Sequence, residues 1–78
     1  MRWREALRSE IKSEIAGRIW KVVVTPGQSV STGEQLAIIE SMKMEIPVDA
    51  PSNGRVEEIR VQEGDEIAEG QTLVVLTT

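Results

Sequence analysis

The 78-residue chain contains no cysteine and no histidine. That absence removes both a disulfide framework and a Cys/His zinc site as supports for a small core. It also removes the commonest general base, the thiol nucleophile and every Ser-His-Asp arrangement. A self-contained enzyme is therefore not expected, and no catalytic residue or metal ligand is assigned. No apolar run approaches the roughly 20 residues of a membrane span, and no signal-peptide core is visible. These absences predict a cytoplasmic protein with no membrane partner. Phenylalanine is missing as well, yet Leu, Ile and Val supply 21 of the 78 residues, above the roughly one-fifth level below which disorder is expected. A chain of this length forms one small domain that buries only about 60–65% of its unfolded surface, so hydrophobic packing alone must hold it together.

Charge is unevenly placed. Residues 1–21 carry six basic and three acidic groups, whereas residues 22–78 carry three basic and ten acidic groups. An acidic body repels phosphate backbones, which argues against a nucleic-acid partner. The basic N-terminal stretch reads as a solvated tail rather than a docking segment. Trp3, Leu7 and Ile11 are spaced by four, as on one helical face, but a helix this short is marginal unless it packs on something. Residues 1–9 are accordingly set apart as a leader, with residues 10–78 as the domain.

What the chain does have is an internal repeat. A shift of 37 positions places Gly17, Arg18, Val24, Gly27, Gly33 and Leu36 on Gly54, Arg55, Val61, Gly64, Gly70 and Leu73. Ile19/Val56, Val22/Ile59, Val30/Ile67 and Ile38/Val75 match in kind. Pushed outward to Ile11/Val48 and Ser41/Thr78, the register gives two copies, 11–41 and 48–78, around a six-residue insert. That insert contains Lys43, flanked by Met42 and Met44, the only methionines besides Met1. Two copies paired about a pseudo-two-fold axis would place the chain termini at the end opposite Lys43.

From Ile11 onward the pattern is strand. Polar–apolar alternation, the β-branched run Val22-Val23-Val24 and the short apolar runs 36–39 and 73–76 are separated by glycine- and proline-bearing turns. The glycines recur in register in both copies, which predicts positive φ or close strand approach rather than a phosphate loop. Short strands in a two-fold repeat imply a small antiparallel sandwich or flattened β-barrel. Between Ile38 and Val48 the chain must reverse without Gly or Asn. Centring a two-residue turn on Met42-Lys43 pairs Ser41 with Met44, Glu40 with Glu45 and Ile39 with Ile46. Such a turn requires positive φ at residues other than glycine, at a cost of order 1–3 kcal/mol, and opposes two like charges. Local rules broken at one place mark a functional site, and two exposed methionines beside a turn amine suit recognition by another protein.

The stretch Glu40-Ser41-Met42-Lys43-Met44-Glu45, with Ala50-Pro51-Ser52-Asn53-Gly54, Glu63-Gly64-Asp65-Glu66-Ile67 and Gly70-Gln71-Thr72-Leu73, resembles the biotinyl domain of biotin-dependent carboxylases. The resemblance covers residues 11–78 and implies a flattened antiparallel barrel-sandwich hybrid of two four-stranded sheets with quasi-two-fold symmetry. It implies that a biotin protein ligase joins biotin to Lys43 through an amide, with Met42 and Met44 as recognition residues and Glu40 and Glu45 in a weaker role on the hairpin. It further implies a non-catalytic carrier that moves a carboxyl group between a biotin carboxylase and a carboxyltransferase. The acceptor would be the substrate of an acyl-CoA carboxylase of the acetyl-CoA or propionyl-CoA type, in fatty acid metabolism. A free lysine titrates near 10.4, so the ligase must supply the base that leaves the amine neutral. The hard chemistry then belongs to the cofactor.

Ser41 stands where many family members have alanine, and Glu40-Ser41 is similar to the homologous lipoyl domains, which makes a lipoyl domain of a 2-oxo acid dehydrogenase-type complex the alternative. Met42 in place of Asp and Met44 in place of Ala favour biotin. A third reading, an unmodified lipoyl-like domain of a membrane-fusion adaptor, would need flanking coiled-coil and membrane segments. No room exists between Pro26 and Leu36 for a protruding thumb, so the chain resembles the short biotin/lipoyl attachment proteins. Lys12 and Lys21 are expected as surface residues on strands away from Lys43.

Overall fold

Alternating apolar and polar residues become eight strands in the computed structural model, which describes residues 8–78. They are β1 (Arg8–Lys12), β2 (Gly17–Val22), β3 (Ser29–Val30), β4 (Gln35–Ser41), β5 (Met44–Asp49), β6 (Gly54–Ile59), β7 (Glu66–Ile67) and β8 (Thr72–Thr77). Two four-stranded sheets form, in the orders β1-β8-β6-β3 and β5-β4-β2-β7, with every pairing antiparallel. This is the flattened antiparallel barrel-sandwich expected. The described residues contain no helix long and apolar enough to cross a membrane.

The 37-residue shift carries β1 through β4 onto β5 through β8 and one sheet order onto the other. Hydrogen bonds obey it in detail. Ile19 N–H donates to the Asp65 carbonyl at 2.8 Å and Val56 N–H to that of Gln28 at 2.8 Å; Ser13 N–H donates to Gln71 at 2.9 Å and Ala50 N–H to Glu34 at 2.8 Å. Each sheet draws strands from both copies, so neither copy completes a sheet alone.

The strand ladders extend the repeat further than side-chain similarity does. Arg8 pairs with Thr77 as Glu45 pairs with Glu40, and Glu10 with Val75 as Pro47 with Ile38. The copies thus run 8–41 and 45–78, and the unrepeated insert shrinks to Met42-Lys43-Met44. Arg8/Glu45 and Ser9/Ile46 share ladder position and burial but not chemistry, because backbone pairing sets the position without fixing the side chain. β1 therefore begins inside the segment 1–9, and residues 1–7, with the Trp3/Leu7 stripe, lie outside the described residues.

The core follows the same symmetry: Ile19/Val56, Val24/Val61, Val30/Ile67, Leu36/Leu73 and Ile39/Leu76 are all buried between the sheets. Close approach explains one glycine pair. A Cβ at Gly17 would lie 2.6 Å from the Glu40 carbonyl oxygen, and one at Gly54 would lie 2.8 Å from that of Thr77. The other four glycines all have positive φ, between 85° and 94°.

Candidate modification site

Lys43 occupies the second position of the turn that joins β4 to β5. Ser41 pairs with Met44, Glu40 with Glu45 and Ile39 with Ile46, the register that the symmetry predicts. Met42 has φ of 52° and Lys43 φ of 65°, the only positive values at non-glycine residues among those described. Both angles lie in the left-handed region, where a Cβ costs of order 1 kcal/mol or more. Ile39, fully buried beneath the hairpin, anchors its base.

The tip itself stands clear of the barrel. Met42 is 89% and Met44 63% exposed, and Lys43 is exposed with no acidic group within 4.0 Å among the described residues. Two large apolar side chains held in water on either side of an amine are an unsatisfied contact surface. Glu40 and Glu45 sit directly across from each other one pair further down, also exposed. The structure thus brings all five expected residues together on one hairpin. Lys12 and Lys21 lie at exposed positions of β1 and β2, and the Lys21 amine rests 5.4 Å from the Trp20 ring centroid.

The β1–β2 loop supports the hairpin from the side. Ser41 Oγ donates to the Ala16 carbonyl at 3.0 Å, and the next residue, Gly17, packs against Glu40, Ile39 and Ser41. Arg18 pairs with Glu40 on the ladder, and its guanidinium reaches Glu66 at 4.0 Å. None of these supports was singled out from sequence for this role. The Gly17-Arg18 and Gly54-Arg55 repeat was the available signal for the glycine, but a contact from residue 41 to residue 16 leaves no mark on either neighbourhood. At the two-fold-related end Gly54 packs against Thr77, and there β1 begins and β8 ends. Arg8 at the start of β1 and Thr77 at the end of β8 therefore pair at the other end of the symmetry from Lys43.

An exposed primary amine on a fixed turn can form an amide with an activated carboxylate cofactor, and among the described residues nothing packed around it stands in the way of a long substituent. Comparison with known proteins points to the same chemistry. The model of the biotin-requiring enzyme family matches residues 9–76. A biotin/lipoyl attachment protein of Bacillus subtilis is 43% identical over 67 residues, which are 86% of this chain and 92% of that one. A biotinylated protein of Mycobacterium leprae is 37% identical over 91% of this chain and all of its own length. Among solved structures, a single-chain, multi-domain long-chain acyl-CoA carboxylase superposes with a TM-score of 0.86 at 28% identity, covering 90% of this chain and 7% of that one. Segments of propionyl-CoA carboxylase, pyruvate carboxylase and urea amidolyase match as well, each over a tenth or less of its length.

Proposed function

The chain belongs to the biotin- and lipoyl-attachment family, and from that premise we propose that Lys43 is its biotinylation site and that the domain is a non-catalytic carboxyl carrier. It is homologous to the biotinyl domains of biotin-dependent carboxylases. The observation that carries the proposal is the turn: one exposed lysine held in left-handed backbone between two exposed methionines, at the single point where the duplicated scaffold is interrupted. A strained, protruding hairpin is costly unless something recognises it.

In this reading Nζ of Lys43, deprotonated by a base of the biotin protein ligase, attacks the acyl carbon of biotinyl-adenylate. An amide bond forms, the bond to the AMP oxygen breaks, and AMP leaves. Met42 and Met44 give the ligase a deformable apolar grip, and the fixed turn keeps the amine off the barrel surface. Attached biotin supplies the ureido nitrogen that accepts and releases a carboxyl group. The domain contributes reach and position, which suits its lack of His and Cys. Its partners are the ligase, a biotin carboxylase and a carboxyltransferase, working in the cytoplasm on an acyl-CoA acceptor of the acetyl-CoA or propionyl-CoA type. The long-chain acyl-CoA carboxylase similarity supports that acceptor class.

The test is incubation with biotin protein ligase, biotin and ATP, read by intact mass and streptavidin blot. Wild-type protein is expected to gain one biotinyl group and Lys43→Arg none, with an unchanged melting curve. Biotin incorporated into folded Lys43→Arg, or a lipoyl mass on the wild-type protein from its native host, would overturn the assignment.

A further inference from the structure

The repeat gives each outer sheet face an internal control. On the β1-β8-β6-β3 face the charged residues close on one another: Arg8 pairs with Glu57 at 3.1 Å and Arg60 with Glu58 at 3.3 Å. Val75, flanked across its two ladders by Glu10 and Glu58, has no exposed surface. The equivalent backbone positions on the β5-β4-β2-β7 face hold residues that cannot pair in this way. Glu45 and Trp20 stand where Arg8 and Glu57 do, Val23 and Lys21 where Arg60 and Glu58 do, and Pro47 and Ile38 where Glu10 and Val75 do. Trp20 and Val23 are each 42% exposed.

Trp20 is also placed deliberately. Ile19 pairs with Ile39 and Lys21 with Ile38, so Trp20 is the extra residue of a bulge, as Glu57 is between Val56 and Glu58. A bulge re-aims the side chain it carries. On one face that side chain meets Arg8; on the other it is 42% exposed, with the neighbouring Lys21 amine 5.4 Å from its ring centroid. Glu40 and Glu45 are opposed across β4 and β5 with no basic group within 4.0 Å among the described residues, and like charges so placed are destabilising. A guanidinium stacks on an indole face and pairs with a carboxylate. One arginine from another protein would therefore do for Trp20 and Glu45 what Arg8 does for Glu57.

We propose that the outer face of the β5-β4-β2-β7 sheet, centred on Trp20, is the docking surface for the enzyme that takes up the Lys43 arm, and that this enzyme presents an arginine to Trp20 and Glu45. The chain carries nine basic against thirteen acidic groups, and β2 brings Arg18 and Lys21 to a sheet that also holds Glu40 and Glu45; the acidic excess opposes a second copy, a nucleic acid or an anionic membrane as occupant and favours a basic protein surface. The face runs along β5 through Pro47 and Glu45 to the foot of the hairpin. An enzyme that acts on Nζ itself must close around the turn. One that acts at the far end of a flexible arm gains little from the turn, and a separate docking face raises the effective concentration of the arm at its active site. The proposal rests on the carrier reading of Lys43.

The test removes the exposed apolar groups of the open face. Trp20→Glu/Val23→Arg places there the residue types found at the equivalent positions Glu57 and Arg60, with Glu45 and Lys21 left unchanged. Purified biotin carboxylase and carboxyltransferase are titrated separately with the biotinylated protein and its variant. For at least one of them, Kd and KM are expected to rise by about tenfold or more, as for loss of a buried aromatic anchor, while kcat and the rate of biotin incorporation stay constant. Affinity of the native protein should fall as salt rises. In the unmutated protein, and equally in Lys43→Arg, the Trp20 Nε1–H resonance should shift on adding that enzyme, which decides the docking face even if the variant fails to fold or Lys43 proves not to be the biotin site. An unmoved Trp20 resonance with both enzymes would overturn the proposal, as would a defect confined to the ligase step.

Discussion

At one end of the barrel Gly17 packs under Glu40 and Ser41, and at the related end Gly54 packs under Thr77 and Thr78. The two environments share backbone geometry to within a few tenths of an ångström in their closest approach, yet they lead to different outcomes. Past Ser41 the chain turns through two left-handed residues and exposes Met42, Lys43 and Met44, whereas past Thr77 the paired strand simply ends. Regular ladders, in-register glycines and a symmetric core make the scaffold, and the left-handed backbone and the two most exposed large apolar side chains are gathered into three residues that belong to neither copy. A domain built in this way separates what must be stable from what is offered for recognition.

Gly17→Ala and Gly54→Ala strike the two ends equally as packing changes, since the added Cβ would meet a backbone carbonyl in each case. Overpacking of this sort costs about 1–3 kcal/mol, so both variants should lower the denaturation midpoint by similar amounts. Only Gly17→Ala should also slow biotinylation, because the carbonyl it displaces, that of Glu40, lies at the foot of the Lys43 hairpin. Equal ligase rates for the two variants, measured at a temperature where both are folded, would show that hairpin geometry does not govern modification.

A smaller effect is expected at the turn. Met42→Asn places a residue that tolerates left-handed backbone at φ of 52°, and should stabilise the domain by about 0.5–1 kcal/mol in chemical denaturation. The same change removes half of the methionine pair and should raise the ligase KM. A variant that is more stable and modified as well as wild type would assign the methionines to packing rather than recognition.

Ser41→Ala is expected to act least on stability. It deletes the hydrogen bond to the Ala16 carbonyl, which at an exposed site lies at the low end of the usual range, about 0.5 kcal/mol or less. Thr78, its counterpart, makes no such bond to Asn53 among the described residues, so Thr78→Ala serves as the control. A hairpin loosened by Ser41→Ala should show faster amide exchange at Met44 while exchange in β8 is unchanged.

Much of this was legible from residues alone. The strand character of the body, the two-fold relation and the pairing of Glu40 with Glu45 follow from alternation, a shift of 37 and the place where the repeat breaks, whereas the count of two four-stranded sheets was implied by the family resemblance. The outer limits of the copies were not legible, because Arg8/Glu45 and Glu10/Pro47 share a ladder position and no chemistry. The bulge at Trp20 was equally hidden, since one unpaired residue among alternating neighbours looks like any other strand residue until its partners Ile38 and Ile39 are known.

Sequence by itself determined the class of the fold and singled out Lys43 as the candidate site of modification. Burial of alternate side chains is a local, periodic requirement, and a lone lysine at the seam of a duplication needs no coordinates to be seen. Tertiary structure decided which groups support and surround that lysine: the Ala16 carbonyl that accepts from Ser41, the Gly17 backbone beneath Glu40, and the face on which Trp20 emerges beside Glu45. These contacts join residues about 25 positions apart, and they exist only once antiparallel pairing has fixed a register, because a slip of one residue would turn every side chain to the opposite face.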